Sequence, residues 1–172
     1  MTDYVYVVYA AKKNIMNGVS DTEFAPDMNL TRAMFVTVLY RADASPKAGK
    51  TLFTDISDDA WYADSVSWAA KNKIVNGVSD TEFAPDMNIT REQAATILMR
   101  YAQYKGEDIS SGDNFDISSF TDSSSISQYA TSAIRYAVSK GYINGKGESL
   151  ICPTDNITRA EAAALIMRFC EK

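Results

Sequence analysis

Histidine is absent from this chain of 172 residues, and cysteine occurs only twice. Without an imidazole there is no Ser-His-Asp or Cys-His catalytic pair, no histidine general base and no zinc site of the usual histidine-containing kind. The two cysteines, Cys152 and Cys170, are too few for a disulfide framework or a four-thiolate metal site. The composition therefore argues against several common classes of enzyme and metalloprotein, and we expect no cofactor and no metal ion.

Positive net charge and long apolar runs are missing as well. The formal net charge of −5 argues against nucleic acid as a partner, because nucleic-acid binding depends on a basic surface. The most apolar stretch, residues 5–11, is much shorter than the roughly 20 residues of a membrane span. Asp3 precedes it where a signal peptide carries positive charge. We expect this stretch to be a helix, with no insertion into a membrane.

An internal repeat organises the chain. The sequence NGVSDTEFAPDMN occurs at 17–29 and again at 76–88, and both copies continue with Thr-Arg after one apolar residue. A diverged third copy keeps Gly, Pro and Thr-Arg at the same spacing within 145–159. We therefore divide the chain into a first motif (1–44), a second motif (51–105) and a third motif (118–172). Because one helix pair cannot bury its apolar face alone, we expect the three motifs to pack into a single domain.

Each motif predicts a helix, a loop and a second helix. In the second motif, apolar residues recur at helical spacing over about 60–72 and again from Thr90 onward, and both patterns have counterparts in the other motifs. Strand signals are weak, so the predicted fold class is all-α, although a short strand within the loop stays open. The connector 105–119 is rich in Ser, Gly and Asp and is expected to be an exposed loop.

The Thr-Arg element marks the start of each second helix. Thr90 and Thr158 are followed three residues later by Gln93 and Glu161, which is the pattern of a capping box. The first motif keeps the threonine but has Met34 in the third place, so it loses the reciprocal half of the box. Helix capping alone explains the threonines.

Capping does not explain the arginine that follows each threonine. Arg32, Arg91 and Arg159 all lie in the first helical turn, where the helix dipole disfavours an exposed cation by roughly 0.3–1 kcal/mol. The same disfavoured choice in three motifs predicts a compensating anion. That anion is either a carboxylate of the protein, such as Asp55 or Asp122, or an anionic ligand.

Taken together, the motifs resemble the S-layer homology (SLH) motif, and the resemblance covers nearly the whole chain. Thr-Arg-Ala-Glu at 158–161 matches the best-known signature of that family. In the second motif the matching elements are Phe53-Thr54-Asp55, Trp61, Trp68-Ala69-Ala70, Ile74-Val75-Asn76-Gly77, Phe83-Ala84-Pro85 and Ile89-Thr90-Arg91-Glu92-Gln93-Ala94-Ala95. The first motif lacks the Phe-x-Asp opening, so a groove that needs this aspartate is expected to be incomplete there.

The resemblance implies a pseudo-threefold, all-helical domain with three helix-loop-helix repeats around a central three-helix bundle. It implies an extracellular module that attaches bacterial surface proteins to the cell wall without a covalent bond. The implied partner is a secondary cell-wall polysaccharide, often one that carries pyruvate ketals, bound in grooves between neighbouring repeats. The chain is expected to be monomeric in isolation, to be part of a longer surface protein, and to have no catalytic residue.

Matching positions give the ligand-binding residues that the resemblance implies. They are Arg32, Arg91 and Arg159; Asp55 and Asp122; Tyr9, Trp68 and Tyr136; Trp61; Gly18 and Gly77; and Ser20 and Ser79. For the two tryptophans, a groove edge and a packed interface between lobes both stay open. The third loop, 145–152, differs from the two identical loops and has no matching serine, so its site is expected to be weaker or different.

Three alternatives remain beside wall anchoring through a glycan. The first is a protein–protein interaction or S-layer assembly module that does not bind glycan directly. The second is a calcium-dependent module, but the acidic clusters at 55–59 and 79–82 do not fit a calcium-loop pattern. The third is a glycosidase, for which no acidic pair stands out. For the cysteines, two buried thiols are expected, and a disulfide within the third motif stays open.

Overall fold

The computed structural model describes residues 3–147 and 149–171, and this part of the chain is helical. The described residues form no β-strand, only isolated β-bridges, so the all-α prediction is confirmed. No helix of the described residues is both long enough and apolar enough to cross a membrane. The helices are α1 (Asp3–Lys12), α2 (Arg32–Ala42), α3 (Ala63–Lys71), α4 (Arg91–Tyr104), α5 (Ser111–Asn114), α6 (Thr131–Ser139) and α7 (Arg159–Cys170), with 3₁₀ turns at Ser123–Ser125 and Gln128–Ala130.

The predicted helix caps are present. The hydroxyls of Thr31, Thr90 and Thr158 each accept a hydrogen bond from the backbone amide three residues later. In α4 and α7 the side chains of Gln93 and Glu161 complete the capping box, whereas α2 has only the threonine half. The three second helices therefore begin where the sequence predicts.

The chain after each first helix turns through a left-handed residue. Asn14, Lys73 and Gly141 have φ angles of 55°, 59° and 70°, at matching places in the three motifs. Two predictions about nearby segments are wrong in detail. The helix expected over 60–72 spans only Ala63–Lys71, and the connector expected to be an exposed loop contains α5, which packs against α6.

A closed ring of backbone hydrogen bonds joins the three motifs just before their second helices. The amide of Leu30 donates to the carbonyl of Ile157, Ile157 donates to Ile89, and Ile89 donates to Leu30, each with an N···O distance of 3.0 Å. All three side chains are buried. The ring brings the starts of α2, α4 and α7 together. The pseudo-threefold bundle that the resemblance implies stays a prediction.

Each helix start is also tied to the loop of another motif. The amides of Arg32 and Ala33 donate to the carbonyls of Met87 and Pro85, at 2.9 and 3.0 Å. The same pair of bonds recurs at the starts of α4 and α7. First-turn amides have no partner within their own helix, so the neighbouring loop satisfies them. These bonds fix the second loop to the start of α2, the third loop to the start of α4 and the first loop to the start of α7.

The core is shared across motif boundaries. The second helix of each motif packs against the first helix of the next: α2 against α3, α4 against α6, and α7 against α1. The largest fully buried side chains include Phe35, Phe83, Tyr136 and Tyr142. Burial of a large apolar side chain contributes roughly 1.5–3 kcal/mol, so each motif depends on its neighbour for much of its stability.

Neither Cys152 nor Cys170 forms a disulfide in the structure. Cys152 is half-buried, but Cys170 is exposed, so the expectation of two buried thiols is wrong for Cys170. The reason is its place at the last residue of α7, beyond the packed part of that helix. Among the described residues, no group of three or more His, Cys, Asp or Glu side chains could hold a metal ion.

Candidate ligand grooves between the motifs

The three arginines reach across motif boundaries and are almost fully buried, with 6–7% of each exposed. Arg32 donates from Nε to the carbonyl of Phe83 at 2.9 Å and from Nη2 to the carbonyl of Asn76 at 3.0 Å. Arg91 makes the same pair of bonds to Ile151 and Asn144, and Arg159 makes it to Phe24 and Asn17. Backbone carbonyls of the neighbouring loop therefore compensate each cation, an arrangement that the sequence analysis missed.

Beside Arg32 lies a cavity of about 250 Å³, which we name the Arg32 groove. Its lining includes residues 75–78 of the second loop, Gln93 and Arg100 of α4, and Tyr129. Arg100 is half-buried and has no hydrogen-bond or ion-pair partner among the described residues, and Nη1 of Arg32 also lacks one. Burial lowers the pKa of Arg32, but an arginine in a protein stays protonated. The groove therefore contains two arginines, each with N–H donors that have no partner among the described residues.

A buried carboxylate holds Tyr129 at the rim of the Arg32 groove. Glu92 accepts hydrogen bonds from the amide and hydroxyl of Ser127, at 3.0 and 2.7 Å, and from the hydroxyl of Tyr129, at 3.1 Å. Burial and the nearby Glu92 raise the pKa of Tyr129 to about 12, so the phenol remains protonated at neutral pH. The Tyr129 residue is nevertheless 57% exposed.

Glu92 was missed by the sequence analysis, and Tyr129 entered it only as the counterpart of Trp61. A signal was available, because the other two motifs have Ala33 and Ala160 where the second has Glu92. An acidic residue at one of three matching positions indicates a contact particular to that motif.

The corresponding cavity beside Arg91, the Arg91 groove, measures about 150 Å³. Here Nη1 of Arg91 donates to Oε1 of Glu161 at 3.2 Å, and the same oxygen lies 3.1 Å from Nζ of Lys146. Arg168 donates to the carbonyl of Tyr142 and to the hydroxyl of Tyr6, both at 3.1 Å. Each cation lining this groove therefore has a partner within the protein.

Arg159 resembles Arg32 in having an Nη1 without a partner among the described residues, and by analogy we name the matching motif boundary the Arg159 groove. The guanidinium lies 4.5 Å from the centroid of the Phe24 ring, and its Nη1 has no hydrogen-bond partner in the described part of the chain. Arg41 holds the position in α2 that Arg100 holds in α4, is half-buried, and likewise has no partner among the described residues. Trp61, the counterpart of Tyr129, is exposed and contacts Tyr62 edge-on at 5.1 Å.

The two aspartates hold the loops that clamp the arginines. Asp55 accepts hydrogen bonds from the amides of Phe83 and Ala84, at 2.9 and 2.7 Å. Asp122 accepts from the corresponding amides of the third loop, also at 2.9 and 2.7 Å. Because these bonds are charge-assisted, they fix the loop conformation strongly. A direct contact of either aspartate with ligand stays a prediction.

The predicted glycines and serines shape the same loops. A Cβ atom at Gly18 would lie 2.5 Å from the carbonyl oxygen of Ser20 and 2.7 Å from that of Glu23, and Gly77 is at least as crowded. The hydroxyl of Ser79 accepts from two amides of its own turn, and that of Ser20 from one. Gly77 also lines the Arg32 groove. Ligand contacts by the serines stay predictions.

Most of the predicted aromatic residues lie away from the grooves. Trp68 is 2% exposed and packs among Tyr40, Tyr101 and Tyr104, with ring centroids 5.6–6.1 Å apart. Tyr136 is fully buried, and Tyr9 is half-buried beneath Lys13. Of the two positions that the sequence left open for Trp68, a groove edge and a packed interface, the structure shows the packed one. Roles of these three aromatic residues in binding stay predictions, and the grooves are formed without them.

The order of these elements matches a known family. The model of the S-layer homology domain matches residues 4–34, 52–95 and 119–163, one segment in each motif. The chain belongs to the S-layer homology family. The predicted family is therefore confirmed, and so is the predicted location at the bacterial cell wall and surface.

Relatives of this SLH domain include proteins of different kinds. It is 33% identical over 167 residues to an amylopullulanase of Thermoanaerobacterium thermosulfurigenes, covering 94% of this chain and 9% of that protein. It is 33% identical over 160 residues to the surface-layer 125 kDa protein of Lysinibacillus sphaericus, covering 91% and 13%. It is 32% identical over 156 residues to the cellulosome-anchoring protein of Acetivibrio thermocellus, covering 87% and 34%.

The SLH domain thus spans between 9% and 34% of the length of these three relatives. An enzyme, a surface-layer protein and an anchoring protein share this one region. The region therefore accounts for a property common to all three, and it is an anchoring module of the cell surface rather than a catalytic part.

Proposed function

We propose that this SLH domain anchors the protein that contains it to the bacterial cell wall by binding an anionic, pyruvylated secondary cell-wall polysaccharide. Binding takes place in the grooves between motifs. The observation that carries this proposal is Nη1 of Arg32, which has no partner among the described residues and shares one cavity with Arg100, whose side chain has none there either. Two cations that form no ion pair with the described residues are suited to a ligand of opposite charge.

The chemistry of a pyruvate ketal fits this arrangement. The ketal fixes a carboxylate rigidly to a sugar ring, and a guanidinium binds a carboxylate through directed, charge-assisted hydrogen bonds. Two carbonyls already hold Arg32 in place, so little side-chain entropy is lost when the ligand binds. The exposed ring of Tyr129 at the rim offers a flat apolar face for the sugar.

The three grooves are unequal in this proposal. The Arg32 and Arg159 grooves retain guanidinium donors that have no partner among the described residues, and these two grooves bind the polymer. The Arg91 groove is smaller, and Glu161 already neutralises its arginine, so it binds weakly. This ranking agrees with the sequence-based expectation that the third loop serves a weaker or different site.

The direct experiment measures sedimentation of the protein with purified wall sacculi. Removing the buried arginines would disturb the fold, so the variants change Arg41 and Arg100 to glutamine, singly and together. Loss of both cations should weaken binding about tenfold or more, since each charge-assisted hydrogen bond contributes about 1.5–3 kcal/mol. Lys47→Gln removes an exposed charge outside the grooves and is the matched control; it should bind like the parent chain.

The same assay separates glycan binding from the protein–protein alternative. Chemical removal of the secondary polymer from the sacculi should abolish sedimentation of the parent chain. Undiminished binding to stripped sacculi would contradict the proposal and favour an interaction with wall protein.

A further inference from the structure

A second, larger cavity shares part of its wall with the Arg32 groove. It measures about 890 Å³ and lies between the connector residues 49–53, one face of α3 and residues 75–80 of the second loop. We name it the second-motif cavity. Residues 75–78 line both this cavity and the Arg32 groove, so the two are neighbours along one stretch of backbone.

The two cavities differ in the size of ligand that they can hold. Pockets that bind small molecules usually measure about 300–1,000 Å³. The Arg32 groove, at about 250 Å³, lies below this range, whereas the second-motif cavity, at about 890 Å³, lies near its upper end. The Arg32 groove therefore has room for one anionic sugar at most, and the second-motif cavity has room for a larger part of a ligand.

The second-motif cavity lies in a motif whose opening segment is in place. The Phe53 ring packs against Phe83, with centroids 5.5 Å apart, and the amide of Thr54 donates to the carbonyl of Thr81 at 2.8 Å. Asp55 accepts from the amide of Phe83 at 2.9 Å. The opening segment therefore holds the second loop, and the cavity remains open beside both of them.

In the third motif, α5 covers the corresponding face of the first helix. Arg135 of α6 donates to the carbonyl of Asp113, and Ser139 donates to the hydroxyl of Ser111, both at 3.1 Å. In α3 the position of Arg135 is held by Ser67, which is too short to reach as far. The connector before α3 forms no helix among its described residues. The opening beside α3 is therefore particular to the second motif.

The lining of the second-motif cavity combines apolar side chains with hydrogen-bonding groups. Leu52 is 91% exposed, and Val78 is exposed as well. Lys71 and Asp80 provide an exposed ammonium group and an exposed carboxylate, and neither forms an ion pair with the described residues. A sugar has an apolar ring face and a rim of hydroxyls, so it can use both kinds of group.

We infer that the second-motif cavity binds the sugars that adjoin the anionic one in the same polysaccharide chain, so that it and the Arg32 groove form one extended site. This inference rests on the function proposed above, because the anionic sugar in the groove brings its neighbours to the cavity. The glycan crosses the shared wall at residues 75–78. The carbonyl of Asn76 in this wall accepts from Nη2 of Arg32 at 3.0 Å, which fixes the wall between the two parts of the site.

Continuity and charge favour the polymer over an unconnected ligand. A sugar that is linked to the one in the Arg32 groove is already close to the cavity, so its effective concentration there is high. Lys71 also gives the cavity a cation that complements the repeated carboxylates of a pyruvylated polymer. A separate ligand would have neither advantage.

Titration calorimetry with two ligands of different length tests the inference. A tetrasaccharide fragment of the pyruvylated wall polysaccharide should bind the parent chain about tenfold more tightly than a single pyruvylated sugar. Equal affinities would overturn the inference and leave the proposed function intact. Binding of neither ligand would contradict the proposed function and the inference together.

Nuclear magnetic resonance of the ¹⁵N-labelled protein locates the additional contacts. The amide signals of Leu52 and Lys71 should shift with the tetrasaccharide and stay in place with the single sugar. Shifts of both signals with the single sugar would place it in the cavity by itself and would overturn the inference.

A double variant removes the contacts of the cavity without touching the Arg32 groove. Leu52→Ser with Lys71→Gln changes two exposed side chains, so the fold should be kept. The variant should lose the tenfold advantage of the tetrasaccharide and bind the single sugar like the parent chain. Unchanged affinity for the tetrasaccharide, or equal losses for both ligands, would overturn the inference.

The matched control is Leu150→Ser with Lys47→Gln. It removes an exposed leucine and an exposed lysine that line neither the Arg32 groove nor the second-motif cavity. This variant should bind both ligands like the parent chain. A loss as large as that of the cavity variant would show that the effect is not specific to the cavity, and it would overturn the inference.

Discussion

In the Arg32 groove the guanidinium donates to two carbonyls of the next motif, and its Nη1 has no partner in the described part of the chain, whereas in the Arg91 groove the same atom is bonded to Glu161. The carbonyl contacts that hold the two arginines are the same. The difference arises at the third residue of the neighbouring helix, which is Gln93 in one groove and Glu161 in the other. One side chain therefore changes the charge of a groove without changing its backbone.

Glu161 has two roles because it has two carboxylate oxygens. One oxygen accepts from the amide of Thr158 and completes the capping box, and the other binds Arg91 and Lys146. Gln93 completes the cap equally well but carries no charge to neutralise Arg32. A complete capping box therefore reports a well-formed helix start and says nothing about how well the adjacent groove binds an anion.

The largest predicted effect concerns the hydrogen bonds from arginine to backbone carbonyls that both grooves have. Arg32→Ala should lower the free energy of unfolding by about 3 kcal/mol, because it leaves two carbonyls without a donor and removes a contact with the Phe83 ring. Arg91→Ala should cost a similar amount, since its carbonyl bonds are the same. Urea unfolding of both variants measures this; a loss below about 1 kcal/mol for either would show that the arginine clamp is not structural.

The next effect compares the loops that form the grooves. Asp55→Asn should cost about 2 kcal/mol, because an amide side chain carries no charge and places an NH₂ donor where Oδ1 of Asp55 faces the amide of Phe83. Asp122→Asn should cost about as much in the third motif. Thermal unfolding of the two variants measures both losses of stability. An unchanged stability in either variant would mean that other contacts hold its loop.

The smallest predicted effect is confined to the Arg32 groove and concerns alkaline pH. Folding raises the pKa of Tyr129 from 10.0 to about 12, so the unfolded chain loses this proton first. The stability contributed by Tyr129 is therefore present below about pH 10 and is lost as the pH rises towards about 12.

Comparison with Tyr129→Phe, which cannot ionise, isolates this contribution. Its free energy of unfolding should fall less steeply between about pH 10 and 12 than that of the parent chain. Identical slopes would show that the Glu92–Tyr129 hydrogen bond does not couple ionisation of Tyr129 to folding.

Much of the fold could be predicted from local patterns. The helix caps at Thr90 and Thr158 and the left-handed turn at Gly141 depend on neighbouring residues, and three copies of the repeat reinforce each pattern. The short helix α5 was missed because four residues carry no periodic apolar signal. The sequence does not predict the burial of Trp68, since this residue lies one position away from the apolar stripe of α3.

The site was less predictable because its contacts cross motif boundaries. The sequence indicates that Arg32 needs a compensating anion, but it does not show that Phe83 and Asn76 lie opposite it. Nor does it show that Glu161 faces Arg91, although the two are far apart in sequence and 3.2 Å apart in space. Such contacts depend on the order in which the motifs pack, which only the three-dimensional structure gives.

The measurement that tests the central claim most directly exchanges the residue that distinguishes the two grooves. Titration calorimetry with a pyruvylated wall-polysaccharide fragment would compare Gln93→Glu and Glu161→Gln with the parent chain. Both residue types complete a capping box, so the fold should be preserved. We predict about tenfold weaker binding at the Arg32 groove for Gln93→Glu, and a newly measurable site at the Arg91 groove for Glu161→Gln. Unchanged affinity and stoichiometry in both variants would contradict the claim that groove charge controls binding.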